Sequence, residues 1–309
     1  MKKRMSAVLR IVVAALSLAF IGWKVYEQLS NGEPFAAFTP KIAPLIVAVL
    51  LMPLNWLLEA RKWQILTAHL QQLTVAESLK SVLSGLAVSM LTPNRVGDFA
   101  GRIAWLKPEN RTSGAMSDFV GGYAQMTAIA LLGIAAFCMH PVLPDFLEWS
   151  GRHYSMTAAV LIVLAVALCG IYFCVGMIAR RFRFNCWPWL ERFVQAAGQH
   201  TKSQLAKSMF LSICRSAVFI FQFQLMLQSV EINLSPIDAY RSIALMYCFV
   251  SVIPSFALAE WGVRGSMALL FIAPFCGQPA QIVAATVALW LINVAVPAAV
   301  GAVSMLRRK

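Results

Sequence analysis

Two polar stretches of the chain interrupt apolar segments and carry the same order of residue types: a proline, then an acid, then an arginine four positions after the acid. The acid and the arginine are Asp98 and Arg102 in the first stretch, and Glu260 and Arg264 in the second. On a helix, residues four positions apart share a face, so each acid can neutralise its arginine. The chemistry that such guanidinium groups offer is the binding of an anion, a phosphate or a carboxylate. The alternative is that the pairs only hold the local structure, and the two roles can coexist.

Further polar residues fall inside or at the ends of apolar segments, where they are costly unless they pair or face a cavity. Arg215 lies well inside an apolar segment that also holds Gln222 and Gln224. Their presence favours an inward-facing arginine over one that reaches back to the membrane surface. The resulting candidate substrate-binding residues are Arg95, Asp98, Arg102, Arg215, Glu260 and Arg264, with Asn55, Glu59 and Arg61 as secondary candidates.

Residue patterns for several other kinds of chemistry do not occur in the sequence. The seven cysteines are scattered without CxxC pairs, and the four histidines are far apart, so neither a metal site nor a Ser/His/Asp arrangement is supported. No glycine-rich loop ends in Gly-Lys-Ser/Thr, the signature of a nucleotide-binding P-loop. We therefore expect no catalytic residue, no metal and no cofactor, and a protein that is not an enzyme.

The elements that position the candidate residues are predicted to be membrane helices. Hydrophobic residues make up 60% of the 309 positions and charged residues only 13%, against roughly a quarter in ordinary globular chains. The lysine and arginine residues that give the net charge of +13 lie between and beside apolar segments, which indicates contact with a membrane surface and not with nucleic acid.

A helix needs about 20 apolar residues to cross a bilayer. Six segments meet this need: 7–27, 41–60, 117–138, 156–178, 207–229 and 280–306. The first is interpreted as an uncleaved span, because no small-residue cleavage site follows it.

Two pairs of shorter apolar segments meet at prolines and polar turns. They are 80–92 followed by 99–106, and 241–253 followed by 264–277. If the first short segment crossed the membrane completely, the acidic segment 139–155 would lie inside the cell and the arginine-rich segment 179–207 outside, against the positive-inside rule. We therefore predict two re-entrant helical hairpins, at 80–106 and 241–277, whose tips line a cavity.

The order of elements is span, span, hairpin, span, followed by the same four elements in the opposite orientation. This pattern predicts an inverted repeat, with halves of about 1–138 and 156–309, in a single membrane domain that covers 1–309. The predicted fold is an all-α integral membrane protein with six full transmembrane helices plus two re-entrant helical hairpins. Both termini are expected on the cytoplasmic side of the membrane.

Three motifs of the chain resemble the integral-membrane, flippase-like region of the lysylphosphatidylglycerol synthases, which is also found as free-standing proteins of about this length. The motifs are WLLEARKW at 56–63, TPNRVGDFAGR at 92–102 and EWGVR at 260–264. The second hairpin departs from the family's pattern at 255–257, where it lacks a Gly-rich lead. The resemblance implies a role in moving or presenting a lipid across the bacterial cytoplasmic membrane. It does not imply aminoacyl transfer, because the synthases use an additional soluble domain for that reaction.

The leading hypothesis is a lipid flippase-like transporter that handles an anionic phospholipid or a polyprenyl-phosphate-linked lipid. One alternative is a non-transporting accessory subunit of an envelope lipid or glycan enzyme. Another is a membrane-embedded lipid phosphatase, which would need a motif of the Pro-Gly-x-Ser-Arg type that we do not find. The expected partners are the lipid with its anionic head group and the membrane itself, with an envelope-biosynthesis enzyme as a further candidate.

Overall fold

The computed structural model describes residues 40–90, 97–139, 152–181, 188–253 and 257–306, together with the single positions 19, 23, 26, 92 and 143. All regular structure within these ranges is helical. The helices are α1 (Ile42–Thr67), α2 (Val75–Ser89), α3 (Gly97–Ile103), α4 (Arg111–Phe137), α5 (Tyr154–Arg181), α6 (Pro188–Ala196), α7 (Lys202–Ser229), α8 (Pro236–Val252), α9 (Ala257–Cys276), α10 (Pro279–Trp290) and α11 (Val296–Leu306).

Five helical segments are long and apolar enough to cross a membrane. They are Ile42–Thr67, Pro108–Phe137, Tyr154–Ala179, Lys202–Ser229 and Pro279–Leu306. These segments match five of the six predicted spans, and the sixth, 7–27, lies outside the described ranges. The outer surface fits lipid, since Val160, Val163 and Val166 of α5 are exposed at 62%, 68% and 68%. The prediction of an all-α membrane protein is therefore confirmed.

Side-chain caps set the starts of several helices. Thr74 and Glu77 form a reciprocal capping box at the start of α2, and Thr201 and Gln204 do the same for α7. Ser235 accepts from a backbone amide in the first turn of α8. These caps satisfy amide donors that a helix leaves unpaired at its N-terminus.

A π-helical turn, Leu291–Ala295, joins α10 to α11 within the last span. Pro297 follows this turn and has no amide hydrogen to donate to the carbonyl group four residues earlier, at Asn293. The helix accommodates the missing hydrogen bond by widening locally, which is a usual origin of such turns. The turn brings Asn293 into contact with α7, as described below.

The helices at the two predicted hairpins are shorter than the five spanning segments. At about 1.5 Å per residue, the 15 residues of α2 extend about 22 Å, less than the hydrocarbon thickness of about 30 Å. Helix α9 differs from the prediction: it starts at Ala257, before Glu260, and its 20 residues continue through Pro274. The first residues of the predicted tips, 93–96 of 93–102 and 254–256 of 254–264, lie outside the described ranges.

Packing between the helices is reciprocal between the two halves of the chain. Helix α1 packs along α7, and within each short-helix pair α2 contacts α3 and α8 contacts α9. Helix α8 packs on α4, whereas α2 packs on α11, so each short-helix pair lies against the last span of the other half.

Close approach of α11 to α2 depends on a glycine. A Cβ atom built on Gly301 would collide with the backbone carbonyl of Leu83, which cannot move aside as a flexible side chain could. Glycine at this position therefore allows the two backbones to touch, a common device where membrane helices cross.

We expect Gly301→Ala to lower the free energy of unfolding by about 1–3 kcal/mol, the usual cost of overpacking a filled interface. The measurement is the midpoint of thermal unfolding of the detergent-purified protein. Gly170→Ala is the matched control, because Gly170 is also helical but has nothing within 4 Å of an added Cβ. Equal midpoints for the two variants would contradict the role assigned to Gly301.

Two histidines that are far apart in the sequence meet where the chain leaves α1 and enters α7. The rings of His69 and His200 pack edge to face with centroids 4.8 Å apart, and His200 Nε2 lies 3.1 Å from Ser117 Oγ. Burial lowers the pKa of His200, and it lowers the pKa of His69 as well. The pair joins two connecting segments to α4 through the contact of His200 with Ser117.

Candidate functional site

A carboxylate on α1, Glu59, is surrounded by three basic side chains in the interior of the protein. Its Oε2 lies 2.8 Å from Lys62 Nζ and 3.2 Å from Arg215 Nη1, and its Oε1 lies 2.7 Å from Arg102 Nη1. The Glu59 side chain is only 5% exposed. A buried carboxylate is tolerated only when it is paired, and these three cations from α1, α3 and α7 provide the pairing.

Arg102 is itself held by three carboxylates. Besides Glu59, its guanidinium donates to both oxygens of Asp98, at 3.0 and 2.9 Å, and its Nη1 lies 3.2 Å from Asp118 Oδ1. Its side chain is 7% exposed and stands over the Trp63 ring at 6.0 Å. The predicted pairing of Asp98 with Arg102 is present, within a larger network. We call Glu59, Lys62, Asp98, Arg102, Asp118 and Arg215 the charge cluster.

The second predicted pair is also formed. Arg264 donates from Nε and Nη2 to Glu260 Oε1, at 2.9 and 2.6 Å. Its guanidinium carbon lies 5.8 Å from the centre of the Tyr247 ring, an arrangement in which the π-system attracts the charge. The Arg264 side chain keeps 23% of its surface exposed, against 7% for Arg102.

Both pairs line one cavity of about 940 Å³, which we call the head-group cavity. Helices α1, α3, α4, α7, α8 and α9 all contribute to its wall. Its described lining includes the acids Glu59, Asp98, Asp118 and Glu260 and the bases Lys62, Arg102, Arg215 and Arg264. Apolar side chains such as Phe99, Phe119 and Met126 complete the wall. A space of this size, with charged side chains among the apolar ones of its wall, can hold a charged group away from lipid.

Arg215 faces inward, as predicted, and is oriented by its neighbours. Besides Glu59, its Nη1 donates to Gln125 Oε1 at 3.2 Å, and Gln125 Nε2 donates to Ser216 Oγ at 2.7 Å. The Arg215 guanidinium carbon lies 5.1 Å from the centre of the Phe219 ring. These contacts hold the charge toward the cavity and not toward the membrane surface.

Two other candidates from the sequence, Asn55 and Arg61, lie elsewhere. Asn55 donates to Gln222 Oε1 at 3.3 Å, and Asn293 donates to the same oxygen at 2.8 Å. Asn55 therefore belongs to an amide network that joins α1, α7 and the π-helical turn. Arg61 is exposed and donates to Gln64 at 2.9 Å, so the structure does not bring it to the cavity. Arg95 lies outside the described residues.

Lys62, Asp118 and Gln125 belong to the site but were not among the predicted residues. A signal for Asp118 was available, since it is an ionisable residue at the edge of a predicted span. Gln125 follows it by seven positions, which returns to the same helix face. For Lys62 the signal was the spacing of three positions from Glu59. In the part of the chain that the structure describes, no group of three or more His, Cys, Asp or Glu side chains is arranged so that it could hold a metal ion.

Comparison with protein families gives one match. The family model described as the lysylphosphatidylglycerol synthase TM region matches residues 7–301, nearly the whole chain. A comparison with curated proteins gave no match.

Proposed function

The chain belongs to the lysylphosphatidylglycerol synthase TM-region family, and from this premise we propose that it is a flippase-like lipid transporter of the bacterial cytoplasmic membrane. Its substrate would be a lipid with an anionic head group, either an anionic phospholipid or a polyprenyl-phosphate-linked lipid. The observation that carries the proposal is the head-group cavity, which is lined by charged residues of both short-helix pairs. We further propose that the protein acts as a transporter and not as an enzyme.

The physical problem in moving a lipid is its head group, because a charge at the centre of a bilayer costs at least about 2.5–3.5 kcal/mol. The acyl chains can remain in lipid throughout. A cavity in which arginines replace water around the phosphate lowers that cost. Its volume of about 940 Å³ lies at the upper end of ordinary ligand pockets, which run from about 300 to 1,000 Å³.

We also propose that the two short-helix pairs are re-entrant hairpins of an inverted repeat, with both termini in the cytoplasm. The length of α2 supports this for the first pair, and the reciprocal packing of α8 on α4 and of α2 on α11 supports the repeat. In transporters built from inverted repeats, the substrate site lies where the two repeats meet. Under this proposal, that place is the cavity that both acid–arginine pairs line. An envelope-biosynthesis enzyme that uses the same lipid is the partner that this function would require.

The test is lipid translocation in reconstituted vesicles, with a variant that fills the head-group cavity. Gly122 lines the cavity and has nothing within 4 Å of an added Cβ, so Gly122→Trp places a large ring there. Gly170 is equally open but lies on exposed α5 outside the cavity lining, so Gly170→Trp is the matched control. We expect a several-fold slower movement of fluorescent phospholipids and polyprenyl phosphates in the Gly122 variant only.

Two results would count against the proposal. Wild-type vesicles that move none of the labelled lipids faster than protein-free vesicles would reject transport. Equal rates for the two tryptophan variants and the wild type would show that lipids do not pass through the head-group cavity.

A further inference from the structure

A second, smaller cavity adjoins the head-group cavity between α7, α8, α9 and α10, and we call it the inner chamber. Its volume is about 50 Å³, and its lining includes Arg215, Tyr247, Arg264, Trp290 and Asn293. Three of these residues, Arg215, Tyr247 and Arg264, also line the head-group cavity, so they stand at the boundary between the two spaces.

The two cavities differ in charge. The described lining of the head-group cavity has equal numbers of acids and bases, named above, so its formal charges cancel. The described lining of the inner chamber has two arginines and no acid. Both arginines are paired with acids of the head-group cavity, Arg215 with Glu59 and Arg264 with Glu260, but the described lining of the chamber adds no acid that would repel an anion held there.

The arginines also differ in the number of carboxylates that their guanidinium groups contact and in how exposed their side chains are. Arg102 contacts three carboxylates and is 7% exposed, so its donors are committed to the charge cluster. Arg264 contacts one carboxylate and is 23% exposed, and the Arg215 side chain is 21% exposed. A ligand can therefore reach the guanidinium groups at the inner chamber more easily than that of Arg102, although the sequence presents Arg102 and Arg264 as equivalent.

The neutral polar atoms at the chamber include one donor that an oxygen of a ligand can meet, and one acceptor that needs a donor such as a bound water. Trp290 Nε1, a donor, and Asn293 Oδ1, an acceptor, are buried and have no hydrogen-bond partner among the described residues. A buried polar atom without a partner is costly, and a bound ligand or water removes that cost. A water molecule needs about 10–15 Å³ of cavity volume. The chamber, with a volume of about 50 Å³, therefore accommodates a few waters or one phosphate group.

We propose that the inner chamber binds the terminal phosphate of a phosphomonoester lipid, which deepens the function proposed above and rests on it. A monoester phosphate carries about −1.5 to −2 at pH 7 and has three oxygens at its free end. It can enter a small chamber end-on and meet both arginines. A diester phosphate carries a single negative charge and a substituent on each side, and the chamber has no room for the second substituent.

The test compares three probes by thermal shift titration of the purified protein: dioctanoyl phosphatidate, dioctanoyl phosphatidylglycerol and inorganic phosphate. We expect phosphatidate to bind about tenfold more tightly than phosphatidylglycerol, with inorganic phosphate weaker than both. Arg264→Gln removes charge from the chamber, and Thr286→Met fills it, because Thr286 is a buried residue of its wall. Each variant should abolish the preference for the monoester. Arg241→Gln is the control, since Arg241 pairs with Asp238 and is not part of either lining.

Equal affinities for the two lipids, or a preference that survives in both chamber variants, would overturn the monoester inference. Binding of inorganic phosphate as tight as that of phosphatidate would show a site for the free ion instead. These outcomes are separable from the translocation assay: diester lipids moved at full rate would leave the transport proposal standing while the monoester inference fell. Monoester binding at the chamber without lipid movement would leave the binding of a monoester standing while the transport proposal fell.

Discussion

Replacing Glu59 with alanine is expected to destabilise the folded protein by about 3–5 kcal/mol, enough to prevent accumulation of much folded protein. The reason is that Lys62, Arg102 and Arg215 all contact this carboxylate in the interior. Without it, three buried cations lose a shared anion. The measurement is thermal unfolding in detergent, or the yield of monodisperse protein if unfolding cannot be recorded.

Glu109→Ala is the control for Glu59, because Glu109 is an exposed acid in the turn before α4. A second variant separates charge balance from packing: Glu59→Gln with Lys62→Gln removes one acid and one base together, and it should recover part of the lost stability. If Glu59→Ala were as stable as Glu109→Ala, the charge cluster would not hold the fold.

Replacing the second acid–arginine pair is expected to slow lipid translocation by between about tenfold and a hundredfold. The variant is Glu260→Gln with Arg264→Gln, which removes both charges and so leaves no unpaired ion in the membrane. Hydrogen bonds to charged groups contribute about 1.5–3 kcal/mol, and loss of one of them from a bound phosphate gives a change of this size. Because the pair lies within α9 and Arg264 is partly exposed, stability should change much less than for Glu59.

The matched control for this variant is Asp238→Asn with Arg241→Gln. That pair is also an acid and an arginine on one helix, at 3.7 Å, but neither residue lines the head-group cavity. Both double variants should fold, and only the first should slow translocation. Unchanged transport in the Glu260/Arg264 variant would remove these residues from the substrate site and leave them a structural role.

Local features of the sequence predicted much of this architecture. Apolar runs long enough to cross a membrane indicated the five described spans. The spacing of four positions between acid and arginine indicated both acid–arginine pairs. Both depend only on neighbouring residues, so no knowledge of the packing was required. Helix starts were less accurate, because counting apolar residues overlooks caps such as Thr74 with Glu77.

The centre of the charge cluster could not be predicted in the same way. Arg61 and Lys62 are adjacent, yet one is exposed and the other is 3% exposed beside Glu59. Successive residues of a helix point about 100° apart, so the distinction depends on which face of α1 meets its neighbours. Apolar residues are distributed around most of α1, because one face meets lipid and the other meets protein. The positions of the apolar residues therefore do not reveal which face points inward. Asp118 was missed for the related reason that its partner Arg102 lies on another helix.

The sharing of one anion among several helices has a consequence for movement. Ion pairs of Glu59 and Arg102 connect α1, α3, α4 and α7, and drawing one of these helices away would break pairs between buried charges. On the proposed transport function, these four helices are therefore expected to move together.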